Sequence, residues 1–292
     1  MAELLLLAVA MVWGTSYGLA KLALAYYPLL GFLATRFCLT FALTLPALLR
    51  DLKRHPYALL RAGLPLGALL LGIFLCETSG VARTSASNAA FLVSLCVVLT
   101  PFVEWLLMGQ RPSGSALLAA LLSLCGALML TGGLSLQLNG GDMLMLAAAL
   151  LRAITVCLTK RLTAGQPVST LGLTSLQTGV VGIGCLLLAA AQPTPLPPLP
   201  HATPFWLITA YLVLCCTLFA FYALNWGIRH STPTRVALLT GSEPLFGALF
   251  AVLWLGEQLT AQAMLGGLLI TAASLWAALP RPAPAQAVAA AG

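Results

Sequence analysis

Four charged side chains stand inside stretches of chain that are otherwise apolar: Arg36, Glu77, Arg152 and Glu243. A charge held at the centre of a hydrocarbon layer costs about 2.5–3.5 kcal/mol, so such a group faces protein or water rather than lipid. Two kinds of chemistry suit these four. Buried pairs, Glu243 with Arg152 or Glu77 with Arg36, would fix helix register and nothing more. Alternatively, a guanidinium receives a substrate carboxylate, and a carboxylate receives an ammonium group or a proton. Glu104 and Glu257 fall nearer the ends of their stretches. Glu104 reads as a local ion pair with Arg111 or the Lys53-Arg54 loop, and Glu257 as a capping or loop residue.

Aromatic and polar residues recur around these charges at helical spacing. Trp13 and Tyr17 share one face, and Gly14 and Gly18 beside them make a small-residue surface for close helix contact. Arg152, Thr155 and Thr159 form one stripe; Ser87, Phe91 and Ser94 form another, with Asn88 next to it. Phe221 pairs with Asn225, and Tyr222 with Trp226, each one helical turn apart. The plain alternative for Tyr222 and Trp226 is an interfacial aromatic belt. For Thr174, Gln177 and Thr178 it is hydrogen bonding between helices. A cavity for an amphiphile needs mostly apolar and aromatic walls with a few placed polar groups. On that basis the candidate substrate-binding residues are Trp13, Tyr17, Glu77, Ser87, Asn88, Phe91, Arg152, Thr155, Tyr222, Asn225 and Glu243.

Nothing points to catalysis, a metal or a cofactor. The 8 cysteines fall inside apolar stretches without C-x-x-C spacing, His55, His201 and His230 are scattered in loops, and no G-x-S-x-G, H-E-x-x-H or P-loop is present.

The elements that must position these residues are membrane helices. Mean hydropathy is +1.00 and 7% of the 292 residues are charged, against roughly 25% in a soluble domain. The apolar runs are too long for barrel strands and lack their two-residue alternation, which leaves helices. Breaks at Gly, Pro and charge clusters predict ten spans. Five fall near 3–23, 29–49, 58–80, 84–108 and 114–132, and five near 142–162, 168–191, 204–228, 233–256 and 261–279. Gln192 to Pro204, with 6 prolines in 13 residues, reads as a loop, and 281–292 as a disordered tail. The first span follows no basic segment and is expected to remain as a helix rather than be cleaved as a signal peptide.

Loop charge sets the expected orientation. Arg50, Lys53, Arg54, Arg61, Arg111, Lys160, Arg161, Arg229, Arg235 and Arg281 gather on one side, and only Lys21 and Arg83 on the other. Both termini are therefore expected in the cytoplasm. The net charge of +7 then reflects topology, not nucleic-acid binding.

The halves match weakly. An offset of 147 lays Asn88-Ala89-Ala90-Phe91-Leu92 over Arg235-Val236-Ala237-Leu238-Leu239, and Met108-Gly109-Gln110 over Leu255-Gly256-Glu257. An offset of 139 aligns Lys21 with Lys160 and Pro28 with Pro167. Five spans per half is an odd number, so the repeats, 1–133 and 134–280, enter the membrane inverted.

With Trp13-Gly14-Thr15-Ser16, with Ala89-Ala90-Phe91-Leu92 followed by Pro101, and with Ala237-Leu238 followed by Glu243-Pro244 and Leu255-Gly256-Glu257, nearly the whole chain resembles the drug/metabolite transporter superfamily in its ten-helix form with two EamA repeats. Within it, the chain is most similar to bacterial exporters of aromatic and other apolar amino acids. The resemblance implies an all-α polytopic protein of the bacterial inner membrane, complete as a monomer. Spans 1, 3, 4, 6, 8 and 9 would surround a cavity, with 5 and 10 behind and 2 and 7 flanking. It implies export of a small metabolite by alternating access and no enzyme activity. Proton-coupled export of cationic drugs is a rival, although small relatives carry a Glu deep in the first helix and this chain has only Glu3 there. Exchange of phosphorylated or nucleotide sugars is another, for which two buried arginines are few.

Overall fold

The computed structural model describes residues 2–84, 86–130, 139–255 and 260–279, with side chains described at all of these except 86–88, 90, 251, 254, 255 and 278. The tail 281–292 and Glu257 lie outside the described residues. The described residues are 85% helical, and no strand occurs among them.

The first half forms α1 (Ala2–Leu24), α2 (Leu29–Arg54), α3 (Pro56–Val81), α4 (Ala86–Ser94), α5 (Cys96–Met108) and α6 (Gly114–Leu130). The second forms α7 (Gly140–Thr163), α8 (Thr170–Ala190), α9 (Thr203–Val213), a π-helical turn (Leu214–Phe219), α10 (Ala220–His230), α11 (Pro233–Thr240), α12 (Glu243–Leu255) and α13 (Ala261–Ala278). Apolar composition drives these helices into lipid, and short polar residues start them. Asn139 and Asp142 close a capping box on α7, Ser169 caps α8, Thr232 caps α11 and Thr260 caps α13.

Seven helical runs are long and apolar enough to cross a membrane, and Gly114–Leu130 and Ala261–Ala277 are shorter apolar helices. Together with the broken run α11–α12 they make ten crossings, so the protein is a polytopic all-α membrane protein. Three expected spans are not regular helices. The fourth is interrupted at Leu95, between α4 and α5, and the ninth at Gly241-Ser242, between α11 and α12. The eighth, Thr203–His230, contains the π turn. The second runs further than expected, to Arg54, so that only His55 separates α2 from α3.

Contacts at the helix ends show how the crossings alternate. On the face that holds the N-terminus, Arg235 pairs with Glu3, Arg229 donates to the carbonyls of Val168 and Gln166, and Asp51 accepts from Ser169 N–H. Glu104 accepts from both the backbone and the hydroxyl of Thr234 on the same face. It therefore caps α11, an arrangement that corrects the expected pairing with Arg111 or the Lys53-Arg54 loop. On the opposite face Thr84 donates to Asp142, and the Tyr27 hydroxyl to the carbonyl of Pro197.

Helix pairing repeats between the halves. α3 packs on α7 as α1 packs on α10; α5 packs on α7 as α1 packs on α12. The pairs α2 with α8 and α6 with α13 map onto themselves. This is the pattern of two inverted five-helix repeats about a two-fold axis lying between them.

The crossings at Gly14 and Gly126 are backbone on backbone. A Cβ on Gly14 would meet the carbonyl oxygen of Glu243 and the nitrogen of Gly247 at 2.7 Å each, and one on Gly126 would meet the carbonyl oxygen of Gly266 at 2.6 Å. Gly18 has nothing within 4 Å, so only one of the two glycines expected at a contact surface makes one. Gly14→Ala should therefore destabilise the protein by about 1–3 kcal/mol, because backbone atoms cannot give way. Gly18→Ala should leave it unchanged or gain up to about 1 kcal/mol of helix propensity. Thermal unfolding of the two purified variants in detergent checks the contrast.

Candidate functional site

A cavity lies between the two halves. Its walls come from α1, α3, α4 and α5, α7, α10, and α11 with α12, with single residues Arg36 from α2 and Gln177 from α8. No residue of α6 or α13 lines it. About 90 Å³ is open to the centres of water molecules, enough for several.

Arg152 stands near the middle of α7 and is held from two sides. Its Nε lies 3.0 Å from Glu77 Oε1 on α3, an ion pair without hydrogen-bond alignment. Its Nη1 donates to Glu243 Oε2 on α12 at 3.2 Å. The expected Glu243–Arg152 pair is thus one half of a three-membered cluster. The expected Glu77–Arg36 pair does not form, because Arg152 takes the Glu77 carboxylate. The cluster carries two carboxylates on one guanidinium, and Glu243 Oε1 has no protein partner.

Trp13 covers the cluster. The Arg152 guanidinium carbon sits 4.9 Å from the centre of its ring, a cation–π contact. The ring is fixed in turn, since Nε1 donates to the carbonyl of Cys216 at 2.9 Å and Phe221 packs against it at 5.6 Å. That carbonyl is available because the π turn shifts the hydrogen-bond register there; π turns of one cycle often sit at functional sites. The Tyr17 hydroxyl, one turn further along α1, is directed at Glu243 without reaching hydrogen-bond geometry.

The break in the ninth crossing positions Glu243. The helix stops at Thr240 and restarts at Glu243, so the carboxylate occupies the first turn of α12, where the N-terminal dipole favours an anion. Leu95, the break in the fourth crossing, and Ser242 are 147 positions apart, the same offset that aligns the two halves. Interrupted helices at matching positions of inverted repeats mark where transporters build their sites.

Of the residues chosen from sequence, the fold brings Trp13, Tyr17, Glu77, Arg152, Thr155, Asn225 and Glu243 to the cavity. Asn225 also donates to Thr174 and Gln177 and so ties α10 to α8. Phe91 does not line the cavity; it is buried in an apolar cluster that includes Val81, Met145 and Ile270. Tyr222 is 42% exposed on the outer side of α10, and its neighbour Phe221 faces inward instead. The side chains of Ser87 and Asn88 lie outside the described residues. Sequence reading overlooked Phe74 and Thr240, and it noted Phe221 and Arg36 without placing them among the candidate substrate-binding residues. Only the one-turn spacing of Phe74 from Glu77 could have singled out the first. Toward the N-terminal face the cavity floor is an apolar plug of Leu6, Ile228, Val236 and Leu239, with Val156 and Leu224 against it.

The EamA-like transporter family matches the chain twice, over residues 1–132 and 139–279. The chain belongs to that family. An uncharacterized transporter of Archaeoglobus fulgidus is 27% identical over 277 residues, which are 92% of this chain and 83% of the relative. A protein of known crystal structure has the same fold, with a TM-score of 0.75 at 19% identity, over 95% of this chain and 96% of its own. This EamA protein is therefore a membrane transporter. The cavity and its ion cluster lie where the family's two repeats meet.

Removing one member of the cluster leaves a buried charge uncompensated. Arg152→Met, which strips the cation from between two carboxylates, should cost about 3–5 kcal/mol. The triple variant Glu77→Gln, Arg152→Met, Glu243→Gln should recover most of that loss. Thermal unfolding of the single and triple variants checks both; equal loss in the two would show that the cluster matters through shape rather than charge.

Proposed function

We propose that this EamA protein exports a small amphiphile bearing an ammonium group, an aromatic or other apolar amino acid, by alternating access at the central cavity. The observation that carries the proposal is the ion cluster: two carboxylates share one guanidinium beneath an aromatic wall. Such a site has one negative charge in excess and attracts an ammonium group, while Trp13, Phe74 and Phe221 take up an apolar side chain. Glu243 Oε1, Thr155 Oγ1, Thr159 Oγ1 and the Tyr17 hydroxyl have no protein partner and supply acceptors and donors to the bound molecule.

Cations crowd the N-terminal face, with only Lys21 and Arg83 toward the other, and this supports a cytoplasmic location for that face in a cell membrane. The first repeat is taken as 1–133 and the second as 134–280. Rocking of one against the other, with the broken helices α4–α5 and α11–α12 as hinges, would open the cavity to each side in turn. The apolar plug at Leu6, Ile228, Val236 and Leu239 would part when the N-terminal face opens.

The excess negative charge also suits a second reading, export of cationic amines in exchange for protons. Counterflow from proteoliposomes separates the two. Labelled L-phenylalanine and a quaternary aromatic amine are each offered to wild type, Glu243→Gln and Trp13→Ala, with and without a pH gradient. The amino-acid reading expects phenylalanine flux in wild type, reduced about tenfold or more in Glu243→Gln, since a charge-assisted contact to the ammonium is lost. Flux of the quaternary amine alone, and only under a pH gradient, would replace that reading with the second.

A further inference from the structure

Arg36 is a buried cation that makes no ion pair with an acid among the described residues. It is 4% exposed and lines the cavity. Its Nε donates to Thr217 Oγ1 at 2.7 Å, its Nη2 donates to the Cys216 carbonyl at 3.4 Å, and no bond of Nη1 occurs among the described residues. Two phenyl rings lie on one side of the guanidinium, Phe37 at 5.4 Å and Phe74 at 5.3 Å from its carbon and 4.5 Å from each other. Every direct partner is therefore neutral. An arginine in this setting costs several kcal/mol unless an anion joins it, and no described acid is in contact with it. Arg152, in contrast, already has its Nε and Nη1 engaged by two carboxylates.

The surroundings of Arg36 are built rather than incidental. The π turn Leu214–Phe219 turns Thr217 toward α2 and leaves the Cys216 carbonyl free for both Trp13 and Arg36. Thr217 is itself held, its hydroxyl donating to the carbonyl of Leu212. The ring that flanks Arg36 and the carboxylate that pairs with Arg152 are both on α3, at Phe74 and Glu77. They are one helical turn apart, a rise of about 5 Å.

We infer that Arg36 is the carboxylate subsite of the cavity, so that a zwitterion binds with its carboxylate on Arg36 and its ammonium toward Glu77 and Glu243. The inference deepens the amino-acid reading and rests on it for the identity of the substrate. It does not rest on that reading for the existence of an anion subsite. The geometry suits a single planar carboxylate presented beside an aromatic group, because Arg36 lines the cavity and Phe37 and Phe74 lie together on one side of its guanidinium. It also makes a testable claim about stability: an unneutralised cation is a burden to the free protein, so replacing it should not weaken the fold.

Purified protein in detergent is titrated with 3-phenylpropionate, which has the carboxylate and no ammonium, and with L-phenylalaninamide, which has the ammonium and no carboxylate; thermal shift reads binding. Wild type, Arg36→Gln and Thr217→Val are compared, and the same preparations are assayed for phenylalanine flux. Arg36→Gln is expected to unfold at the wild-type temperature or above. It should weaken 3-phenylpropionate binding about tenfold or more while changing phenylalaninamide binding by less than about twofold. Thr217→Val, which keeps the charge and loosens its orientation, should show a smaller loss confined to the carboxylate.

Equal losses for both probes in Arg36→Gln would make Arg36 a structural residue and overturn the inference, as would unchanged carboxylate binding or none in wild type. If Arg36→Gln does not fold, Thr217→Val decides alone, and carboxylate binding as tight as wild type in that variant overturns the inference. Wild type that binds 3-phenylpropionate through Arg36 yet moves no phenylalanine would sink the amino-acid reading and leave the anion subsite standing.

Discussion

Sharing of one guanidinium by two carboxylates from different helices is the constraint around which the interior is organised. Arg152 and Glu243 belong to the second half of the chain and Glu77 to the first, so the cluster crosses the boundary between the repeats. Two charges about 4 Å apart attract by about 4 kcal/mol at an effective dielectric constant near 20, and that attraction must offset the cost of bringing all three groups out of water. Such a balance leaves the cluster strong enough to hold α3, α7 and α12 in register. It also leaves it close enough to break-even that a substrate charge can compete for a place in it. The neighbouring features follow from this. Trp13 needs a fixed ring to cover the cation, the ring needs an anchor, and the anchor is the carbonyl that the π turn exposes.

The same logic explains where the helices are irregular. A continuous helix presents side chains to its neighbours and hides its backbone, and a transporter site needs some of the backbone as well. The breaks at Leu95 and at Gly241-Ser242, and the π turn, all fall in crossings that line the cavity. The crossings α6 and α13, which do not line it, are regular and meet backbone to backbone at Gly126 and Gly266. Among the described residues, irregularity is therefore confined to the crossings that line the cavity, and close backbone packing lies mainly outside them. Gly14 is the exception. It brings α1 hard against the start of α12, next to Glu243, and so sets how far the Trp13 cover lies from the cluster.

Much of the fold was legible because lipid imposes a simple rule on sequence. Runs of apolar residues separated by charges and prolines gave the crossings, and the weak match at an offset of 147 anticipated two halves whose irregular crossings correspond. The central charges were legible for the same reason, since Arg152 and Glu243 have no business in a lipid-facing run. Their partners were harder to read. Sequence offers several acids to each arginine, and only the packing of α3 on α7 gives Glu77 to Arg152 rather than to Arg36. Spacing alone also could not choose between adjacent aromatics, and it favoured Tyr222 where the helix turns Phe221 inward. The π turn was invisible. Nothing in Leu214-Cys215-Cys216-Thr217-Leu218-Phe219 distinguishes an inserted residue from a plain helical one, and its effect is felt through a backbone carbonyl, which carries no sequence signature.

Charge counting bears on what the cavity can hold. Taken together, Arg36, Glu77, Arg152 and Glu243 give two positive and two negative charges around one space, unevenly placed: the acids gather on Arg152, and Arg36 stands apart among neutral groups. A phosphorylated sugar would bring about two negative charges to a site with one unengaged cation, and part of its charge would be buried without a partner. A simple cation would satisfy the acids and leave Arg36 as it is, buried and unneutralised. A zwitterion answers both ends of the arrangement at once and adds no net charge to a low-dielectric space. Burial then costs least for a molecule whose charges are already paired with those of the wall, and that balance supports the proposed amino-acid substrate over either rival.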